Sequence, residues 1–286
     1  MAPRALQWDS VNWSCAYDAF LNLMWNLYGK IGHERFENIY PLDVEMKRLT
    51  AVFSQVSEGL LTLEAARSTV REHLTLKDSQ RFPLYGHIPI AVDNVFAAFL
   101  SMPLQTLTLT CTLAQCSSCG YQANEIYTLP CPSIWESLAI EDSAAQRSTS
   151  LSMDAVISDL LNSAFSRRCT VCRSHVPSST VFSDVPELFV VNLNRRSTTR
   201  VPLYINPTVV LPTTQQNGKL LRILGIVYWG ANHFTTQLID RDDTVWYNDG
   251  AQTSMRSHYQ RRGTISTTNL TECENRIPRL IIYHTR

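Results

Sequence analysis

Apolar residues recur at helical spacing early in the chain and at strand spacing later. From Ser14 to Tyr28, Ala16, Phe20, Leu23, Met24 and Leu27 form one stripe. That pattern predicts an amphipathic helix with Cys15 in its first turn. Val44 to Val56 and Thr62 to His73 predict two more helices, the second with Glu64 near its start. Leu104 to Thr112 then alternates apolar and polar and is rich in threonine, as a half-exposed strand should be. Ile126 to Leu129 reads as its returning partner, and 142–150 as a polar, exposed loop. Met153, Val156, Ile157, Leu160, Leu161 and Ala164 return to helical spacing across Ser152–Phe165, with Ser152 as N-cap. Beyond them lie strands at Glu187–Asn194, Leu220–Trp229, His233–Ile239, Val245–Asn248 and Leu280–Tyr283, with Asp240 to Asp243 as a hairpin turn. Helices first and antiparallel strands later predict an α+β fold.

The 286 residues suit one elaborated domain, or one domain with an insertion. With 44% hydrophobic and 17% charged residues the chain has ample material for a core. Lys plus Arg equals Asp plus Glu, 25 each, and this neutral balance argues against a partner bound through its phosphate backbone, so no nucleic acid is expected. The most apolar stretch, Leu220 to Trp229, is too short to span a bilayer and holds Arg222, so no membrane partner is expected. The first residues lack an apolar signal region. The expected setting is intracellular, cytoplasmic or nuclear, where cysteines are poor candidates for disulfides.

The cysteines divide by spacing. Cys116-Ser-Ser-Cys119 and Cys169-Thr-Val-Cys172 are two C-x-x-C bends, each half of a tetrahedral thiolate site, so together they predict one structural Zn²⁺. Cys111, Cys131 and His175 are local rivals for a ligand place, each with an ordinary reading as a thiol or a solvated imidazole. Cys15 opens a helix, where free amides and the macrodipole favour a thiolate. Taken alone it also reads as a buried core thiol. His233 starts a strand, and Asp249 follows the next one. Across an antiparallel hairpin the carboxylate can orient the imidazole, giving a candidate nucleophile, base and orienter in Cys15, His233 and Asp249. His33, His73, His87, His258 and His284 read as solvated or packing residues.

The order of these parts resembles the ubiquitin-specific protease (USP) family of papain-like cysteine proteases. The resemblance runs from about residue 10 to residue 250. Asn12-Trp-Ser-Cys15-Ala-Tyr-Asp18 matches the family's cysteine box, and the double bend matches its zinc-bearing fingers. Pro186 to Arg195 looks like the strand after the fingers, and Leu220 to Gly250 like the histidine box. The implied fold has a helical thumb, an antiparallel β palm and zinc-bearing β fingers within a single domain, 1–286. Thumb and N-terminal palm take about 1–103, fingers about 104–186 and C-terminal palm about 187–286.

The implied activity is that of a cysteine isopeptidase. Cys15 attacks the C-terminal glycine carbonyl of a modifier linked to a Lys, His233 moves the proton and Asp249 holds the imidazole. Asn12 is the nearest side-chain donor for the oxyanion, with Ser10 and Gln7 as rivals and helix-entry capping as its other role. Trp13 and Phe234 are candidate walls of a channel admitting only Gly-Gly, or ordinary core residues. The chain departs from the usual family pattern at Trp13-Ser14, Asp18, Asn232 and Asp249-Gly250. These departures resemble a divergent USP-like branch that includes a SUMO isopeptidase. The well-formed double bend resembles the lobe that cradles ubiquitin, so ubiquitin is the expected modifier and SUMO the alternative. A protease-like module that binds ubiquitin without cleaving it, or a zinc-dependent interaction module, are the remaining readings.

Overall fold

A computed structural model of the chain describes residues 2–39, 43–86, 88–100, 108–113, 115–121, 126–130, 134–136, 151–163, 167–176, 178–193, 203–214, 218–252 and 259–285. The predicted 142–150 loop, His87, Cys131 and His258 lie outside them, as does the start of the first predicted strand. Among the described residues there are six helices: α1 (Cys15–Ile31), α2 (His33–Glu37), α3 (Val44–Ser57), α4 (Leu63–Lys77), α5 (Val92–Phe99) and α6 (Met153–Ser163). The strands of the middle of the chain are β1 (Thr108–Leu113), β2 (Ile126–Pro130), β3 (Ile134–Glu136), β4 (Leu151–Ser152), β5 (Arg167–Arg168), β6 (His175–Val176), β7 (Ser178–Phe182), β8 (Leu188–Asn192), β9 (Leu203–Tyr204) and β10 (Thr208–Leu211). The later ones are β11 (Lys219–Gly230), β12 (His233–Ile239), β13 (Thr244–Asn248), β14 (Gln260–Thr264) and β15 (Ile277–Thr285). No helix of the described residues is long and apolar enough to cross a membrane.

The chain divides into two compact units, one of residues 1–101 and 224–282, the other of residues 102–223 and 283–286. In the first unit α1 is the central element. It is buried on nearly all sides, not on one stripe, because β12 covers one side and α2, α3, α4 and α5 pack around the rest. Phe20 stacks on Phe99 and meets the edge of Phe96, each at 4.9 Å between ring centres. α3 and α4 start where side chains satisfy free amides: Asp43 accepts from Glu45 and Met46, and Thr62 accepts from Ala65. The strands of this unit lie in the order β14-β13-β12-β11-β15. β11, β12 and β13 form two successive antiparallel hairpins, which fixes where His233 and Asp249 fall.

The second unit holds a three-stranded sheet, β2-β1-β7, with both pairings antiparallel. β3 and β8 pair in parallel, as do β4 and β9. Trp135, Phe182 and Phe189 form an aromatic cluster at its core. Ser152 caps α6 as predicted, its hydroxyl accepting from the Ala155 amide at 3.2 Å.

Candidate active site and thiolate cluster

The segment before Cys15 is a tight loop built on Asp9. Its carboxylate accepts from the amides of Val11 and Asn12 and from the Asn12 side chain, and the Asp9 amide donates to the Ser14 hydroxyl at 2.8 Å. Trp13 takes a left-handed conformation, φ 47°, which costs a non-glycine residue about 1 kcal/mol and turns the chain into α1. Asn12 thus spends one amide hydrogen on Asp9, and its carbonyl accepts from the Gly86 amide at 3.3 Å.

Cys15 itself is buried, and burial pushes its thiol up to about 11. The backbone amides of Phe234 and Ala16 pull the other way, while the Asp18 charge adds to the rise. The expectation that the helix start would favour the thiolate is therefore reversed, because desolvation outweighs the amides. α1 packs along β12, the strand that begins with His233 and Phe234. The Phe234 ring packs on Trp229 at 4.4 Å between centres.

His233 is held at the tip of the β11–β12 hairpin. Ala231 and Asn232, at φ 51° and 56°, form a two-residue turn of the mirror-image kind that suits twisted hairpins. Asn tolerates this region better than most residues, which suits Asn232 to the second turn position. His233 Nε2 meets Asp249 Oδ1 at 2.9 Å, both side chains being nearly fully buried. The register pairs Thr236 with Asn248, so Asp249 reaches His233 diagonally, one residue past the end of β13. Among the described residues His233 Nδ1 is buried without a hydrogen-bond partner. The Trp8 ring lies 4.9 Å from the imidazole. Burial would raise the Asp249 carboxyl, but the hydrogen bond and charge of His233, the Ala251 amide and the Arg276 guanidinium hold it below its ordinary value. Gly250 answers to packing: a Cβ there would stand 2.8 Å from the Trp8 nitrogen.

Two arginines that carry no local sequence signal complete the surroundings. Arg67, on α4, bonds Asp18 Oδ1 at 2.9 Å and the Gln7 carbonyl at 2.6 Å. Ser14 donates to the other Asp18 oxygen at 2.6 Å. Arg276 reaches Asp249 Oδ2 at 3.1 Å.

In the second unit, Cys116, Cys119, Cys169 and Cys172 bring their sulfurs within 4.8 Å of one another. Cys116 and Cys172 are 3.5 Å apart, and Cys119 and Cys169 3.6 Å. Tetrahedral Zn–S bonds of about 2.3 Å separate sulfurs by about 3.8 Å, so the four fit a structural zinc. The two bends are built alike. In each, the first cysteine's carbonyl accepts from the residue four on, Gly120 or Arg173, and its amide donates to the carbonyl of the next residue, Tyr121 or Ser174. Cys111 packs beside the cluster as a buried apolar neighbour. Cys131 and the His175 side chain lie outside the described residues.

No family model and no curated protein matches the sequence. Among solved structures, the chain is similar to the SAGA Ubp8/Sgf11/Sus1/Sgf73 DUB module bound to ubiquitin aldehyde. There the identity is 13%, the TM-score 0.55, and the match covers 99% of this chain and 69% of that one. A SAGA DUB module bound to monoubiquitin is 11% identical, with a TM-score of 0.52 and the same coverage, 99% and 69%. At such identities the likeness is one of fold, and the fold is USP-like.

Proposed function

We propose that the chain is a cysteine isopeptidase that removes ubiquitin from lysine side chains. The observation that carries this reading is the buried His233–Asp249 pair at the start of β12, the strand packed on the helix that Cys15 opens. The fold shared with a module solved with ubiquitin aldehyde supports the substrate class. Helices α1–α5 would then be the thumb, the β11–β15 strands the palm, and the strands around the four cysteines the fingers. Zn²⁺, held by those cysteines, would supply structure and no open coordination position.

The chemistry follows from the groups present. A thiol with its pKa near 11 is protonated at neutral pH, so attack requires a base at hand. Asp249 occupies His233 Nε2, which leaves Nδ1 to take the thiol proton. The Cys15 sulfur then adds to the glycine carbonyl carbon, and the oxyanion is met by the Cys15 amide and the remaining Asn12 amide hydrogen. His233 returns its proton to the leaving lysine amine as the C–N bond breaks, and a thioester remains. Water, deprotonated by His233, adds to that thioester and releases ubiquitin with a free carboxylate and the Cys15 thiol. Trp13, beside the nucleophile, and Phe234 would border the approach of the Gly-Gly tail.

Parallel electrophilic probes built on the C-termini of ubiquitin and of SUMO test the reading. Wild type should be labelled by the ubiquitin probe, and Cys15→Ala should fold normally and remain unlabelled. Labelling by SUMO at ten times the ubiquitin rate would replace ubiquitin with SUMO, since a decade is about 1.4 kcal/mol of preference. Labelling of neither would leave a binding module.

A further inference from the structure

Asp249 is held at both carboxylate oxygens, and the second hold is unusual in its construction. Oδ1 takes His233 Nε2 at 2.9 Å and the Ala251 amide at 3.0 Å. Oδ2 takes Arg276 Nη2 at 3.1 Å, and Arg276 Nη1 reaches the Tyr247 hydroxyl at 3.3 Å. The guanidinium therefore spans two residues of one strand and its exit, and its own side chain is 13% exposed. A carboxylate free to rotate about its last bond presents a changing lone pair to an imidazole. One pinned on both oxygens presents a fixed one.

Arg276 is itself fixed by backbone. Cys273 and Arg276 exchange two amide–carbonyl hydrogen bonds, 3.0 and 2.9 Å, across Glu274 and Asn275. Both central residues have positive φ, 52° and 58°, so the turn is of the same mirror-image kind as the one before His233. The stem of Arg276 then runs against Gly230, the last residue of β11. A Cβ on Gly230 would stand 2.8 Å from the Arg276 Cγ and 3.2 Å from its Cα. Gly230 pairs directly with His233 across the hairpin. The arginine thus lies between the turn that carries the imidazole and the carboxylate that orients it.

We infer that Arg276 is a positioning residue of this site: it acts on the imidazole through Asp249, and Gly230 is glycine to admit it. The inference rests on the isopeptidase reading for its substrate, though not for the coupling between the two side chains. Loss of such supporting bonds lowers activity by about 10–100-fold.

The test is a double-mutant cycle on the full chain with a fluorogenic ubiquitin substrate, with melting temperatures recorded for every variant. Arg276→Met should lower kcat about tenfold or more and leave KM within about twofold, because the guanidinium is bonded to Asp249 and Tyr247 and acts through the imidazole. Arg276→Lys, which keeps a cation within reach of Oδ2, should recover to within about threefold of wild type. Asp249→Asn combined with Arg276→Met should be no slower than Asp249→Asn alone, since an arginine that works through Asp249 has nothing left to hold. Gly230→Ala keeps every polar group and should reproduce the kcat loss if Arg276→Met folds poorly. A kcat for Arg276→Met within twofold of wild type would overturn the inference, as would losses that multiply in the double variant or a fall confined to KM. If wild type turns over neither a ubiquitin nor a SUMO substrate, the isopeptidase reading fails on its own. The same cycle is then read by chloroacetamide alkylation of Cys15, where non-additive losses sustain the role of Arg276 and independent ones end it.

Discussion

Asp18 lies one helical turn past Cys15 inside α1, and its charge is met chiefly by Arg67. The two side chains are 7% and 11% exposed, and the remaining Asp18 oxygen is taken by Ser14. Burial raises the Asp18 carboxyl above its ordinary value, with the Arg67 charge and hydrogen bond opposing. The sign of the pH effect follows: a raised carboxyl opposes folding as it ionises, so its burden grows with rising pH. Arg67→Ala should therefore cost about 3 kcal/mol at pH 8 and less at pH 5, where Asp18 can take up a proton instead. Urea unfolding at the two pH values checks this, and equal costs would mean that Asp18 keeps one protonation state across the range. Asp18→Asn with Arg67→Met should recover most of the loss, because no unpaired charge is left. Asp249 runs oppositely: its lowered carboxyl contributes stability above about pH 4 that disappears as pH falls through its depressed value. The places of Cys15, His233 and Asp249 at the ends of α1, β12 and β13 were legible in the sequence, because the pattern changes there. Arg67 and Arg276 were not, since an arginine on a helix face or after a loop looks the same whether it meets solvent or a buried carboxylate. The raised Cys15 thiol was legible only through the alternative of a buried core thiol. Helix position shows in sequence, but depth of burial does not.

The two cysteine bends show what an element's hydrogen bonds demand of one residue. Both need a left-handed residue four positions after the first cysteine. The first bend has Gly120 at φ 73°, and the second has Arg173 at φ 65°. A non-glycine residue there is strained by about 1 kcal/mol, which glycine escapes apart from its entropy. Arg173→Gly should accordingly raise thermal stability of the metal-loaded protein by up to about 1 kcal/mol, and Gly120→Ala should lower it by about as much. Calorimetric melting of the two variants compares them, and a destabilised Arg173→Gly would show that the arginine side chain itself is needed. Long periodic elements were read nearly to the residue: β12 as His233–Ile239, and the helix from Val44 ending at Ser57 against an expected Val56. α5 went unread although Val92, Val95, Phe96 and Phe99 carry its stripe, because two turns give periodicity little room. β4, β5, β6 and β9 are two residues each and exist through their partners, so no local pattern marks them. β14, Gln-Arg-Arg-Gly-Thr, is exposed along much of its length and lacks the apolar alternation of a strand.

At the scale of the whole molecule, sequence distance and spatial grouping part company. Asn22 on α1 bonds Asn248 on β13 at 3.1 Å across 226 positions of chain. The residues between 102 and 223 form the other unit, with its own core and its own four thiolates. The candidate nucleophile, base and orienter all belong to the first unit, and the cysteine cluster belongs to the second. This partition predicts how metal removal should act. Carefully purified chain should hold about one Zn²⁺, lost on changing Cys116, Cys119, Cys169 or Cys172 to Ser, because a structural thiolate site contributes folding energy directly. Stripping the metal with a strong chelator should lower the melting temperature and abolish cleavage of a ubiquitin substrate, if the second unit serves to hold the modifier's folded body. Alkylation of Cys15 by chloroacetamide should proceed at close to the metal-loaded rate, since the small reagent needs nothing from the second unit. The two rates separate recognition from chemistry. Parallel loss of both would show that the metal supports the first unit as well. Undiminished cleavage after complete stripping would show that the thiolate cluster has no part in holding the substrate.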